Sequence, residues 1–207
     1  MRILFQGDSI TDFGRDYEDG NHLGRGYVLL TSAELGFKNP GKYEFLNRGI
    51  SGNRITDVYA RIKNDILNLK PDFLSLLIGV NDVWHDFKES PNGVCAEKFC
   101  KIYDMLIEEI KTALPDIKIM LLEPFVLKAS ATELHWEKFR SEVEKRAEMV
   151  EKIAEKYGLP FVRLQKGFDE LTERCEASYW LYDGVHPTPM GHEFIKSEWI
   201  KAFEELK

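Results

Sequence analysis

Short apolar runs alternate along the chain with longer segments in which apolar residues recur every three or four positions. The short runs lie at residues 3–5, 43–46, 73–78, 117–122 and 161–164. Runs of this length and composition predict β-strands. The run at 73–78 is apolar at every position except Ser75, which is typical of a strand whose sheet is covered on both faces.

Two of the intervening segments have a clear helical period, and we interpret their recurring apolar positions as helix faces that pack into a core. They are Phe99, Ile102, Tyr103, Leu106, Ile110 and Leu114 in the first segment, and Phe139, Val143, Ala147, Val150, Ala154 and Tyr157 in the second. The sequence from Ser130 to Glu133 resembles a capping box, which predicts that a helix begins there. Gly158, followed by Pro160, predicts where that helix ends.

Strands that alternate with helices predict right-handed βαβ units, and therefore an α/β fold with a parallel, doubly wound sheet. The chain contains no internal repeat, no low-complexity stretch and no linker-like segment. We therefore expect residues 1–207 to form a single domain, since this is an ordinary length for one hydrophobic core.

The composition narrows the range of partners. Lys and Arg number 28 against 35 Asp and Glu, so the net charge is −7. An acidic chain without a basic stripe is a poor candidate for binding nucleic acid or an anionic membrane. No stretch approaches the roughly 18 apolar residues that span a bilayer, no signal peptide is visible, and the cysteines lack metal-ligand spacing. We expect a cytoplasmic protein with no nucleic-acid or membrane partner.

Small and polar residues follow the first three predicted strands. Gly7, Asp8 and Ser9 follow the first, residues 47–53 the second and residues 79–82 the third. Residues 183–187 form a fourth polar segment before the last helical stretch. Because ligands of an open parallel sheet bind outside the carboxyl ends of its strands, we expect these segments to converge on one site.

Three of these residues have the chemistry of a nucleophilic site. A serine becomes a nucleophile when a neutral imidazole can take its proton and a carboxylate orients that imidazole. Ser9 supplies the hydroxyl, His186 the base, and Asp183, three residues before His186, the carboxylate. The order Ser, Asp, His is that of α/β-hydrolases, yet the Gly-x-Ser-x-Gly elbow of that fold is absent from this sequence.

Acyl transfer also needs hydrogen-bond donors for the developing oxyanion. We expect the backbone N–H groups of Ser9 and Gly52 and the side-chain amide of Asn81 to supply them. Gly52 has no Cβ, so the main chain can approach a ligand closely there. Each residue alone has an ordinary structural explanation, such as a helix cap or a turn, but their joint placement at the strand ends favours catalysis.

The four segments resemble the motif blocks of the SGNH hydrolases, the GDSL esterase/lipase family. The blocks are Gly-Asp-Ser-Ile-Thr-Asp at 7–12, Asn-Arg-Gly-Ile-Ser-Gly-Asn at 47–53, Gly-Val-Asn-Asp at 79–82 and Asp-Gly-Val-His-Pro at 183–187. The resemblance implies a flavodoxin-like three-layer α/β/α sandwich with a central parallel five-stranded sheet. It also implies the catalytic triad Ser9, Asp183 and His186, an oxyanion hole of Ser9, Gly52 and Asn81, and no metal or organic cofactor.

Longer stretches at 23–28, 47–53 and 78–84 resemble a bacterial, intracellular subgroup that includes acetylxylan esterases. This resemblance implies a homo-oligomeric serine esterase that acts on short-chain acetyl esters, with acetylated xylo-oligosaccharides as the expected small-molecule substrate. We expect Arg54, Trp84 and Tyr182 to line the substrate pocket, because an aromatic face packs well on a sugar ring. Packing beneath a loop is the alternative role for these three residues.

Other functions stay open at this point. A lysophospholipase or a thioesterase of the same family would use the same triad. Asp8 and Asp12 are candidate Mg²⁺ ligands of a phosphatase-like enzyme, although that enzyme would leave Asp183, His186 and Asn81 without roles. A flavodoxin-like module that binds a small molecule without catalysis is the non-enzymatic alternative.

Overall fold

Five strands form the centre of the protein, whose computed structural model describes residues 1–206. The strands are β1 (Arg2–Gly7), β2 (Glu44–Asn47), β3 (Phe73–Leu77), β4 (Lys118–Leu122) and β5 (Phe161–Val162). They lie in the order β2-β1-β3-β4-β5, and every neighbouring pair is parallel. The predicted α/β fold with a parallel five-stranded sheet is confirmed, and the strand ends differ from the predicted runs by at most two residues.

Helices connect the strands and cover both faces of the sheet. The α-helices are α1 (Ser9–Asp12), α2 (Tyr27–Lys38), α3 (Ile55–Ala60), α4 (Ile62–Asp65), α5 (Val80–Trp84), α6 (Ala96–Ala113), α7 (Trp136–Tyr157), α8 (Gln165–Thr172), α9 (Ala177–Trp180) and α10 (Pro189–Glu204). Short 3₁₀ turns lie at Leu67–Leu69, His85–Phe87 and Glu133–His135. Among residues 1–206, no helix combines the length and the apolarity that a membrane crossing requires.

Each face of the sheet has its own hydrophobic core, because successive side chains of a strand point to opposite faces. Phe5 of β1 belongs to the core beneath α2 and α10, whereas its neighbour Leu4 belongs to the core beneath α3 and α6. Trp199 of α10 is fully buried against Phe5 and donates a hydrogen bond from Nε1 to the Ser75 hydroxyl at 2.9 Å. The single polar side chain of β3 therefore has a buried partner.

The two predicted helix faces are confirmed. Phe99, Tyr103, Leu106 and Ile110 of α6 are buried, as are Phe139, Val143, Ala147, Val150 and Ala154 of α7. Gly158 ends α7 with a φ of +62°, in the left-handed conformation that a glycine adopts readily.

The helix start predicted at Ser130 is wrong, because α7 begins at Trp136 after a 3₁₀ turn. The difference comes from Thr132. Its hydroxyl accepts a hydrogen bond from the Ala129 N–H at 2.9 Å and donates one to the Leu127 carbonyl at 2.6 Å. These bonds close a turn before the helix, so the segment does not form a capping box.

The strand order reverses beside β1. The chain passes from β1 to β2 on one side and then crosses to β3 on the other. A crevice outside the carboxyl ends of β1 and β3 is the place where open α/β sheets bind ligands. The segments at 7–12 and 79–82 follow these two strands and therefore lie at this crevice.

Candidate active site

Ser9 lies two residues after the end of β1 and begins the short helix α1. Asp8 precedes it as the N-cap residue, and Asp8 Oδ1 accepts a hydrogen bond from the Ile10 N–H at 3.0 Å. The backbone that carries the Ser9 hydroxyl is therefore fixed by strand pairing on one side and by a helix cap on the other.

Asp183 and His186 lie on the loop between α9 and α10, three residues apart. His186 Nδ1 is 2.8 Å from Asp183 Oδ2, and His186 Nε2 is 2.9 Å from Ser9 Oγ. Asp183 Oδ1 accepts the backbone N–H groups of Val185 and His186, each at 2.9 Å. The structure thus brings Asp183, His186 and Ser9 into one hydrogen-bonded chain.

The loop that carries Asp183 and His186 is closed at its base. Leu181 and Pro187 form an antiparallel bridge, and the Tyr182 N–H donates a hydrogen bond to the His186 carbonyl at 2.8 Å. The carboxylate and the imidazole therefore have fixed positions relative to each other, independent of the distant Ser9.

The contact between Asp183 and His186 shifts the pKa of both groups. The hydrogen bond to Asp183 raises the pKa of His186 above its usual value, although partial burial opposes this. Burial alone would raise the pKa of Asp183, but hydrogen bonds from His186 and Val185 outweigh it, and the pKa falls to about 2. Asp183 is therefore charged at neutral pH and favours a proton on His186 Nδ1, which leaves Nε2 to accept the Ser9 proton.

Residues 48–54, which we call the Gly52 loop, follow β2 and lie against the end of β1. The Ile50 N–H donates to the Gly7 carbonyl at 3.1 Å, and the Asn53 N–H donates to the Ile50 carbonyl at 3.1 Å. The second bond closes a β-turn whose third residue, Gly52, has a φ of +80°, as a type II turn requires. A Cβ added to Gly52 would have no atom within 4 Å, so this side of the turn faces open space.

Hydrogen-bond donors at this edge of the sheet are free to bind a ligand. Within residues 1–206, the backbone N–H groups of Ser9 and Gly52 donate to no other group. Asn81, in the first turn of α5, donates one Nδ2 hydrogen to the Asn53 carbonyl at 3.2 Å and retains the other. These are the donors that the sequence predicts for an oxyanion hole.

A comparison with known families decides between the protein classes considered above. The model of the GDSL-like Lipase/Acylhydrolase family matches residues 5–194. The chain belongs to this family. It is therefore a hydrolase of carboxylic esters, and the resemblance drawn from the four motif blocks is confirmed.

Individual relatives match this GDSL-like hydrolase along nearly its whole length. An acetylxylan esterase of Geobacillus stearothermophilus is 31% identical over an alignment of 215 positions with gaps, and the alignment covers 97% of this chain and 92% of that protein. The crystal structure of an acetylxylan esterase from the same organism has a TM-score of 0.87 at 30% identity, covering 97% of this chain and 93% of that one. A GDSL-like protein from Parabacteroides merdae has a TM-score of 0.93 at 36% identity, covering 98% and 95%.

Two of the residues expected in the substrate pocket of the hydrolase lie beside the base. The ring centroid of Trp84 is 5.6 Å from that of His186. Tyr182 directly precedes Asp183 and is 57% exposed. Their contact with substrate stays a prediction.

Arg54, the third expected pocket residue, has its guanidinium bound to protein groups. Its Nε and Nη2 donate to the carboxylate of Asp57 at 2.9 and 3.0 Å, and its Nη1 donates to the Asn92 carbonyl. This arrangement ties the start of α3 to the segment after α5, and a direct role for Arg54 in binding substrate also stays a prediction.

The two carboxylates considered as Mg²⁺ ligands belong to separate networks. Asp8 caps α1, and burial raises its pKa to about 7. Asp12 accepts hydrogen bonds from Arg15, Tyr17 and Ser51. Among residues 1–206, no group of three or more His, Cys, Asp or Glu side chains is placed to hold a metal ion. Both carboxylates hold backbone segments around Ser9.

Sequence reasoning missed two carboxylates, one that anchors the middle of the Gly52 loop and one that anchors the residue directly after it. Asp12 Oδ2 accepts the N–H and the hydroxyl of Ser51 at 3.1 and 2.6 Å. The carboxylate of Asp82 accepts the Ile55 N–H at 3.1 and 3.2 Å. Both residues lie inside the motif blocks, which is a signal that they matter, but the sequence does not indicate which distant N–H group each one meets.

Proposed function

We propose that the protein is a serine esterase that removes acetyl groups from carbohydrates, with acetylated xylo-oligosaccharides as its substrates. Ser9 is the nucleophile, His186 the general base and acid, and Asp183 the carboxylate that orients His186. The hydrogen-bonded chain through these three residues is the observation that supports this role most strongly. Structures of the Geobacillus stearothermophilus acetylxylan esterase include catalytic mutants in which a serine or an aspartate is replaced by alanine, which supports the same chemistry here.

Acylation begins when Ser9 Oγ attacks the carbonyl carbon of the acetyl ester and His186 Nε2 takes the hydroxyl proton. The charged Asp183 stabilises the imidazolium that forms. The carbonyl oxygen becomes an oxyanion, which the free N–H groups of Ser9 and Gly52 and the Asn81 amide stabilise. The bond to the sugar oxygen then breaks, and this oxygen leaves as an alcohol with the proton from His186.

Deacylation repeats these steps with water as the nucleophile. His186 Nε2 takes a proton from the water that attacks the acetyl group on Ser9. The same donors stabilise the second oxyanion. The bond to Ser9 Oγ then breaks, His186 returns the proton to Ser9, and acetate is released.

The substrate is tested by measuring acetate release from acetylated xylo-oligosaccharides beside the hydrolysis of p-nitrophenyl esters of increasing acyl length. We expect rapid deacetylation of the oligosaccharides and a fall in kcat/KM as the acyl chain lengthens. A preference for long acyl chains, or for thioesters, would contradict the acetylesterase and favour a lysophospholipase or a thioesterase.

The nucleophile is tested with Ser9→Ala, in which we expect no burst of p-nitrophenol and no labelling by an organophosphonate. The thermal unfolding profile should stay close to that of the wild type, because the backbone at this position is held by the Asp8 cap and by β1. Labelling of the alanine variant at the wild-type rate would exclude Ser9. A homo-oligomer and a cytoplasmic location stay predictions, of which size-exclusion chromatography with light scattering tests the first.

A further inference from the structure

Asp12 lies one helical turn after Ser9 and is 3% exposed. Its Oδ1 accepts the Arg15 N–H at 3.1 Å. Its Oδ2 accepts three hydrogen bonds, from the Tyr17 hydroxyl at 2.5 Å and from the N–H and hydroxyl of Ser51 at 3.1 and 2.6 Å. The carboxylate thus holds both the backbone and the side chain of the residue directly before Gly52.

The peptide between Ser51 and Gly52 is the central peptide of the β-turn that the Asn53 N–H and the Ile50 carbonyl close. Type I and type II turns differ by a rotation of about 180° of this peptide. Such a rotation would reverse the direction of the Gly52 N–H while the closing hydrogen bond stayed in place. The direction of this N–H is therefore not determined by the turn alone.

The neighbouring peptides of the Gly52 loop have other anchors. The Ile50 N–H is bound to Gly7, and the Asn53 carbonyl is bound to Asn81. Within residues 1–206 the Gly52 N–H donates to no other group, so its direction depends on the torsion angles ψ of Ser51 and φ of Gly52, which flank the central peptide. Ser51 is exposed, and its two hydrogen bonds to Asp12 hold it in place.

The geometry points to Asp12 as a positioning residue for ester hydrolysis, which holds Ser51 so that the Gly52 N–H stays directed at the oxyanion. This inference rests on the proposed function, because it gives Asp12 a task only if Gly52 stabilises an oxyanion. Asp12 acts through Ser51, and its loss should affect the transition state more than the bound ester.

The variant Asp12→Asn keeps the size of the side chain and replaces one acceptor oxygen with an NH₂ group. We expect kcat for p-nitrophenyl acetate to fall by about 10–100-fold, because a displaced donor loses much of its effect, with KM changed by less than about twofold. The acid limb of the pH–rate profile should not move, since Asp183 and His186 keep their contact. If Asp12 had a purely structural role, its replacement would lower Tm without lowering kcat at a nearly constant KM.

The variant Ser51→Ala removes only the hydroxyl donor and leaves the Ser51 N–H bound to Asp12. We expect a smaller fall in kcat, about 3–10-fold, and a double variant no worse than Asp12→Asn alone, because both changes break the same contact. Because Ser51 is exposed, we expect Ser51→Ala to fold, and this variant tests the role of Asp12 even if Asp12→Asn does not fold.

Glu123→Gln is the matched control. Glu123 accepts the N–H groups of Leu164 and Gln165 at 2.6 and 2.8 Å, so it anchors the start of α8 rather than the Gly52 loop. We expect its kcat to stay within about threefold of the wild type. Equal losses of kcat in Asp12→Asn and Glu123→Gln, or additive losses from Asp12→Asn and Ser51→Ala, would overturn the inference.

The outcomes for Asp12 and for the proposed function are distinguishable. Wild-type kcat in both Asp12→Asn and Ser51→Ala, together with an inactive Ser9→Ala, would overturn the role of Asp12 alone. Full activity in Ser9→Ala would overturn the proposed function itself.

Discussion

The indole ring of Trp84 lies 5.6 Å from the imidazole ring of His186, measured between centroids, at an interplanar angle of 48°. An aromatic ring within about 6 Å of a cation attracts it through the ring quadrupole. His186 is a cation when it holds the proton of Ser9 or of the attacking water during catalysis, and when it is protonated by solvent at acid pH. Trp84 should therefore stabilise the imidazolium in addition to any contact with a sugar.

Replacing Trp84 with leucine should lower the pKa of His186 in the free enzyme. A contribution of about 0.5–1 kcal/mol would move the acid limb of kcat/KM to lower pH by about 0.5. The substrate for this measurement is p-nitrophenyl acetate, which has no sugar. Trp84→Phe is the control and should retain most of the effect. If Trp84 acted only as a sugar platform, its loss would raise KM for acetylated oligosaccharides and leave this pH profile unchanged.

Acidification should inactivate the enzyme at a higher pH than an ordinary histidine would predict. His186 accepts a proton from Ser9 only in its neutral form, and its hydrogen bond to Asp183 raises its pKa. We therefore expect kcat/KM to fall as the pH drops through a value above about 6.5. A midpoint below that value would contradict His186 as the base.

The variant Asp183→Asn should reduce kcat on the order of 10⁴-fold, because the imidazole loses the partner that fixes its tautomer and stabilises its charge. The remaining activity should titrate at lower pH than in the wild type, since the contact that raises the pKa of His186 is weakened. Unchanged kcat would show that another group orients His186.

Removal of the Asn81 amide should reduce kcat on the order of 10²–10³-fold in Asn81→Ala. Asn81→Asp keeps the shape of the side chain but cannot donate when charged, so it should be at least as inactive. Steady-state kinetics with p-nitrophenyl acetate measure both losses. Wild-type turnover in Asn81→Ala would remove this residue from the mechanism.

Asp8→Asn should make the protein more stable at high pH. Burial raises the pKa of Asp8 to about 7 in the folded protein, against about 4 in an unfolded chain. The unfolded chain releases this proton first as the pH rises, so the stability present below about pH 4 is lost progressively up to about pH 7. Asparagine is neutral throughout and still accepts the Ile10 N–H. The difference in Tm between the variant and the wild type should therefore increase from about pH 4 to about pH 7. A constant difference over this pH range would contradict the raised pKa of Asp8.

The sequence predicted the sheet and the long helices well, because their periodicities are local properties of the chain. Phe99 and Phe139 begin helix faces that the structure buries. The helix start at Ser130 was not predictable in the same way. The partners of the neighbouring Thr132 hydroxyl, at Leu127 and Ala129, depend on how the loop folds back.

The same difference between local and long-range contacts applies to the site. Asp183 and His186 were predictable as a pair because three residues separate them and their chemistry is distinctive. The anchoring roles of Asp12 and Asp82 were not, because their partners lie 39 and 27 residues away along the chain. A carboxylate inside a motif does not indicate which distant N–H group it will accept.

The loop from Leu181 to Pro187 separates a local contact of the triad from a long-range one. Asp183 and His186 are three residues apart, whereas the contact between His186 and Ser9 spans 177 positions. The N–H groups of Leu127 and Ala131 donate to the carbonyls of Gly184 and Asp183, so a distant segment also holds this loop. We expect the contact with Ser9 to form only when the loop and α10 have packed on the sheet. Esterase activity during refolding should therefore return no earlier than the burial of Trp199.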